Sequence, residues 1–165
     1  MTFTTLEVIE AVRGLLEGER GLSASVEELK QTYGAEERAA PAAPVVFLRA
    51  PAESQEKAWP SKYPMVHVYC DRIEGRPVER LRRFSGRVRV VAEVRVSQDR
   101  LDGITQNLHH YVDAVRDVLE RNTGCVGDGL YLSSEYDVQI EPVKKGGLNY
   151  LQTARIACPV MVNRG

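Results

Sequence analysis

From Arg87 to Ser97 the side chains change character at nearly every step, and this alternation constrains the fold more than any other stretch of the chain. Val88, Val90, Ala92, Val94 and Val96 fall on one side, and Arg87, Arg89, Glu93 and Arg95 fall on the other. That period of two marks a half-buried strand, because successive side chains of an extended backbone point to opposite faces. One face requires a core. The other is expected to meet water or a charged partner.

The elements around this strand follow from the same kind of pattern. Asp99 offers a helix cap, and Leu101, Ile104, Leu108, Val112, Val115 and Leu119 recur at intervals of three or four, which predicts an amphipathic helix from Asp99 to Arg121. Arg121 suits the negative pole of that helix and Gly124 can close it, with a loop over Cys125–Gly129 to follow. Two further alternating runs come next. Tyr136, Val138 and Ile140 make the first, Tyr150, Gln152, Ala154, Ile156, Cys158 and Val160 make the second, and Lys144–Gly147 forms the hairpin connection between them. Upstream, Met65–Ile73 alternates and should pair with Arg87–Ser97 through a turn over Glu74–Phe84. Val45–Arg49 is a short strand candidate.

At the amino terminus, Thr4 and Glu7 have capping-box spacing, with Leu6, Ile9, Val12 and Leu16 as the apolar stripe of a first helix. Ser25 and Glu28 begin a second, short helix ending near Tyr33–Gly34, and Ala35–Pro44 reads as a connector. The fold class that results is α+β: an antiparallel sheet of about four to five strands, one long helix packed on one face and a helical amino terminus. A single domain over 1–165 is expected, with residues 1–43 as helical region and connector and 44–165 as the core. Within it, Pro51–Pro64 reads as a long loop or arm carrying Trp59, the sole tryptophan.

Composition excludes more than it identifies. The 165 residues carry a net charge of -1, so no global field drives the chain toward nucleic acid or anionic lipid. No apolar run approaches the roughly 20 residues that cross a bilayer, and no basic-then-apolar leader opens the chain, so no membrane partner and cytoplasmic synthesis are expected. Cys70, Cys125 and Cys158 are odd in number and widely spaced, which reads as buried or partly buried thiols rather than a disulfide framework or zinc site.

Chemistry-bearing motifs are weak throughout. Gly124–Gly129 resembles a phosphate loop in composition but follows a helix instead of opening one, so its amides are not at a positive helix end. His109 and His110 project about a hundred degrees apart on a helix and cannot form an i, i+4 metal pair. His67 has no evident nucleophile or acid beside it, and no Gly-x-Ser-x-Gly elbow occurs. Catalytic residues, metal ligands and cofactors are therefore not assigned. The densest basic stretch is Arg76, Arg80, Arg82, Arg83, Arg87 and Arg89, interrupted by Glu74 and Glu79, and phosphate contact there is one reading of it.

The segments GRVRVVAEVRVS, DRLDGITQNLHHYVDAVRDVLERN and YLQTARIACPVMV, in the order strand, helix, strand within residues 64–163, resemble the tail-terminator and related minor tail or head–tail joining proteins of long-tailed bacteriophages. The resemblance implies a structural virion protein, assembled in the host cytoplasm and located in the tail or neck. It also implies a homo-oligomeric ring, six-fold in that family, that caps the tail tube and meets the head connector while DNA passes its lumen. Such a subunit needs complementary surfaces and no active site. The contact candidates are Trp59, the row Arg87, Arg89, Glu93 and Arg95, and the hairpin lysines Lys144 and Lys145. The alternative from another class is a small nucleic-acid-binding or scaffold domain with a basic face; an enzyme is the third.

Overall fold

The two longest alternating runs become the two longest strands, and they pair with each other. The computed structural model describes residues 4–34, 45–47, 63–76 and 84–164. In chain order these form α1 (Thr5–Glu17), α2 (Leu22–Leu29), β1 (Val45–Phe47), β2 (Met65–Gly75), β3 (Phe84–Gln98) and α3 (Ile104–Arg121). Then come β4 (Gly124–Gly127), β5 (Leu130–Leu132), β6 (Asp137–Ile140), β7 (Lys144–Gly146) and β8 (Asn149–Arg164). Trp59 and the expected arm, apart from Tyr63 and Pro64 at its end, lie outside the described residues, as do Arg80, Arg82, Arg83 and the 35–44 connector.

The architecture is α+β with a large antiparallel sheet and a pair of amino-terminal helices. The order is β1-β2-β3-β8-β5-β4, with β6 and β7 also paired to β8, and among the described residues only the β1–β2 pairing is parallel. Among the described residues eight strands replace the four to five expected. The surplus strands are short, and three or four residues are too few to display a period of two. One of them, β4, takes up most of the expected Cys125–Gly129 loop and forms a hairpin with β5, whose turn places Gly129 at φ +66. The Gly129 carbonyl accepts from Asn163 N at 2.8 Å, and a Cβ at Gly129 would stand 2.3 Å from the Asn163 carbonyl oxygen, so only glycine fits.

β3 and β8 are in continuous register from Phe84↔Arg164 to Gln98↔Tyr150. Pro159 sits inside β8, where a missing N–H would normally break a ladder. Its carbonyl accepts from Ser133 N at 3.1 Å, on the side away from β3. Since N–H and C=O of one strand residue point the same way, the absent donor faces the interval between β5 and β6 and costs the β3–β8 ladder nothing.

The core lies on one face of the sheet. Val88, Val90, Ala92, Val94 and Val96 of β3, with Ala154, Ile156, Cys158, Val160 and Val162 of β8, share one buried cluster with residues from α1, α2 and α3. α3 touches β3, β8 and α2, while α1 touches β2, β3 and α3. Several boundaries differ from those expected. α3 starts at Ile104, not Asp99: Gly103 at φ +80 turns the chain, and the Gln98 side chain donates to the Arg100 and Asp102 carbonyls at 2.7 and 2.9 Å. Leu101 is thereby left outside the stripe and exposed. In α1, Thr4 Oγ1 accepts from Glu7 N at 3.4 Å, but the buried stripe is Val8, Val12 and Leu16, rotated so that Leu6 is exposed. Of the cysteines, Cys158 is buried, Cys70 half-buried and Cys125 exposed, the last because β4 is an edge strand.

Leu108 is fully buried in α3, and replacing it with alanine is expected to destabilise the fold by about 2–5 kcal/mol in urea denaturation. A change of a few tenths would place the helix elsewhere.

Candidate functional site

The face of the sheet opposite the core carries the charged row, and the strand register states which side chains meet there. Across β2, β3 and β8 the rows are Glu74–Arg87–Met161, Arg72–Arg89–Pro159, Tyr69–Val91–Ala157, His67–Glu93–Arg155 and Met65–Arg95–Thr153. A bulge between Cys70 and Arg72 inserts Asp71 as an extra residue. The bulge lets Asp71 hold Arg89 along one edge of its guanidinium through two hydrogen bonds, with Nε donating at 2.8 Å and Nη2 at 2.7 Å.

This face divides into two halves. Glu93 and Arg95 were expected to face solvent or a partner, and in the monomer they do neither: Glu93 is 1% exposed and Arg95 6%. Met65, His67, Leu151 and Thr153 around them are buried as well. Alternation marks opposite sides but not which side is dry, and here both are. A buried carboxylate is tolerated only where donors surround it. Glu93 accepts from Arg155 Nε at 2.6 Å, Arg95 Nε at 2.9 Å and Tyr69 Oη at 3.2 Å. Arg155 Nη1 also donates to Glu141, and Lys144 Nζ lies 3.6 Å from the same carboxylate. Residues from β2, β3, β8 and the β6–β7 segment are thus joined in one alternating chain of charge.

The titration behaviour follows from that chain. Partial burial pushes the Glu141 carboxyl up, but hydrogen bonding and charge from Arg155, with Lys144 adding to them, outweigh it and hold the group below its ordinary value. Arg155 is raised: burial favours loss of its proton, and the two carboxylates it serves more than compensate. Burial, then the nearby Glu93 charge, raises Tyr69. None of these groups is poised to exchange a proton near neutrality.

The other half is open. Arg72 pairs with Glu74 at 2.8 Å, and with Arg87, Arg89 and Pro159 they line a cavity of about 120 Å³. Arg87 is half-buried, and its Nε is buried without a hydrogen-bond partner. Lys144 and Lys145 are exposed on β7, Lys145 standing 5.9 Å over the Tyr150 ring. Beside them Leu148, at the tip of the β7–β8 hairpin, is 94% exposed.

Away from the sheet, a polar seam joins α2 to α3. His110, buried, places Nε2 2.9 Å from the Val26 carbonyl and stacks on Tyr33, whose hydroxyl donates to Asp113. Ser25 Oγ donates to Asp117 at 2.6 Å and accepts from Arg121 Nη2 at 2.6 Å. These contacts give His110 a packing role. Among the described residues no group of three or more His, Cys, Asp or Glu is placed to hold a metal ion. Burial pushes the Cys158 thiol up to about 12, which makes it a poor nucleophile.

Sequence reasoning singled out Arg87, Arg89, Glu93, Arg95, Lys144 and Lys145 but not the residues that complete their surroundings: Tyr69, Asp71, Arg72, Glu141 and Arg155. Arg155 had a signal, being the single charge among the outward positions Leu151, Thr153 and Ala157 of its strand. Asp71 had none, because a bulge resets the alternation that would have placed it. No family model matches the sequence, and no curated protein matches it.

Two measurements test this division of the face. Arg95→Glu sets a like charge against buried Glu93 and is expected to cost at least about 3 kcal/mol in urea, while Arg89→Glu on the open half costs under about 1 kcal/mol; equal effects would refute it. Because Glu141 is held below its ordinary value of 4.5, its contribution is fully present above that pH and fades as pH falls below it. Thermal melts should therefore lose stability on acidification below about 4.5, and Glu141→Gln should reduce that slope.

Proposed function

We propose that this chain is a structural virion subunit of the tail-terminator type, acting as a closed homomeric ring, of six copies, at the junction of tail tube and head connector. The observation that carries the reading is the layout β2–β3–α3–β8: three long antiparallel strands of 11, 15 and 16 residues, a covering helix inserted before the last, and a charged face turned away from the helical layer. This is the strand, helix, strand order of the segments that resemble the tail-terminator family.

Physical arguments support the assignment. A ring needs a heterologous contact, in which one surface of a subunit meets a different surface of the next. The sheet has two unlike ends, β1 on one side and β4 on the other, and a hairpin whose exposed tip combines Leu148 with Lys144 and Lys145. An almost fully exposed leucine flanked by lysines suits a contact with an apolar centre and a charged rim. Trp59 within the proposed arm completes the set of contact residues. The buried half, with Glu93 and Arg95, acts from inside the subunit by keeping that face rigid.

Light scattering coupled to size exclusion, followed by negative-stain imaging, tests the proposal. The chain alone or mixed with its tube protein is expected to give rings, and Leu148→Glu should abolish them while leaving the thermal midpoint of the subunit within about a degree or two, since surface changes cost little. A chain that stays monomeric under both conditions would overturn the ring.

A further inference from the structure

The guanidinium cluster at the open end of the charged face is unfinished as an ionic structure. Arg72 has Glu74 at 2.8 Å, and Arg89 has Asp71 through two hydrogen bonds. Arg87 lies in the row beside Arg89 and across from Glu74, yet among the described residues no carboxylate pairs with it, and its buried Nε has no acceptor. The cavity that Arg72, Arg87 and Arg89 share with Glu74 and Pro159 has a volume of about 120 Å³. That is room for one tetrahedral oxyanion.

We propose that this cavity binds a single phosphate group, held by the Arg87 guanidinium, which no described carboxylate pairs, with Arg72 and Arg89 as flanking charges. Arginine suits the role because its planar fork reaches two oxygens at once and stays charged at any pH the protein meets. The two flanking arginines are already oriented by their carboxylates, so little side-chain freedom is lost when an oxyanion arrives. Glu74 repels an anion and limits affinity to a weak, exchangeable range; its pairing with Arg72 keeps that repulsion from dominating. The site belongs to the subunit itself and is independent of ring formation. The phosphate has two possible sources, a free phosphate ion and a nucleic-acid backbone.

Equilibrium dialysis of the full chain against radiolabelled inorganic phosphate, at constant ionic strength in chloride, is expected to show saturable binding of one phosphate per chain. Arg87→Gln should weaken it at least tenfold. Arg87→Lys, which keeps the charge but not the planar fork, should weaken it too, and circular dichroism should show both variants folded. Should Arg87→Gln prove unfolded, Arg72→Gln serves in its place. A fluorescent 20-base-pair duplex identifies the source: if backbone phosphate is the ligand, Arg87→Gln weakens duplex binding and inorganic phosphate competes with it. Duplex binding insensitive to Arg87, beside Arg87-dependent binding of free phosphate, assigns the site to the ion. The proposal is overturned by absence of saturable phosphate binding, by binding that both folded variants retain, or by acetate competing as well as phosphate, which would make the ligand a carboxylate.

Discussion

Glu93 and Arg155 face each other across the β3–β8 ladder, 2.6 Å apart, and the rest of the sheet depends on that pairing staying in place. A slip of one residue would turn every side chain of β3 to the other face, moving the valines out of the core and pushing Glu93 into it. Hydrophobic burial opposes the slip on one face, and the ion pair opposes it on the other. Register in this sheet is therefore specified twice, by two kinds of interaction that fail together.

The same pairing sets what the rest of the outer face can be. With Tyr69, Arg95, Arg155 and Glu141 drawn around Glu93, the middle of the face is dry and internally neutralised, and its remaining charge is concentrated at the β2–β3 end. There the bulge at Asp71 neutralises Arg89 but leaves Arg87 without an acceptor for its Nε. A face that looks uniformly charged along one strand is thus a structural half beside a half still able to meet a partner.

His110 packs and the most buried thiol is held protonated, while the polar residues of the sheet are largely engaged with one another. What the protein offers outward is a lysine-flanked leucine on a hairpin tip, an arginine-lined hollow and two dissimilar sheet ends. The tail-terminator reading uses the first and last of these; the phosphate site uses the second.

Much of the fold was legible locally. The alternation of β3 and β8, the Thr4 cap and the apolar positions from Ile104 to Leu119 are each governed by a backbone period or a hydrogen bond within four residues, so the sequence by itself determined them. Short strands such as β4, β5 and β7 carry too few residues to show a period; β5 and β7 exist because β8 supplies a long edge to pair with, and β4 because β5 does. Only the tertiary structure decided whether Glu93 and Arg95 face water. Burial depends on what lies across the sheet, and the partners of Glu93 at Tyr69 and Arg155 are 24 and 62 residues distant along the chain, brought together by strand pairing that no local pattern encodes.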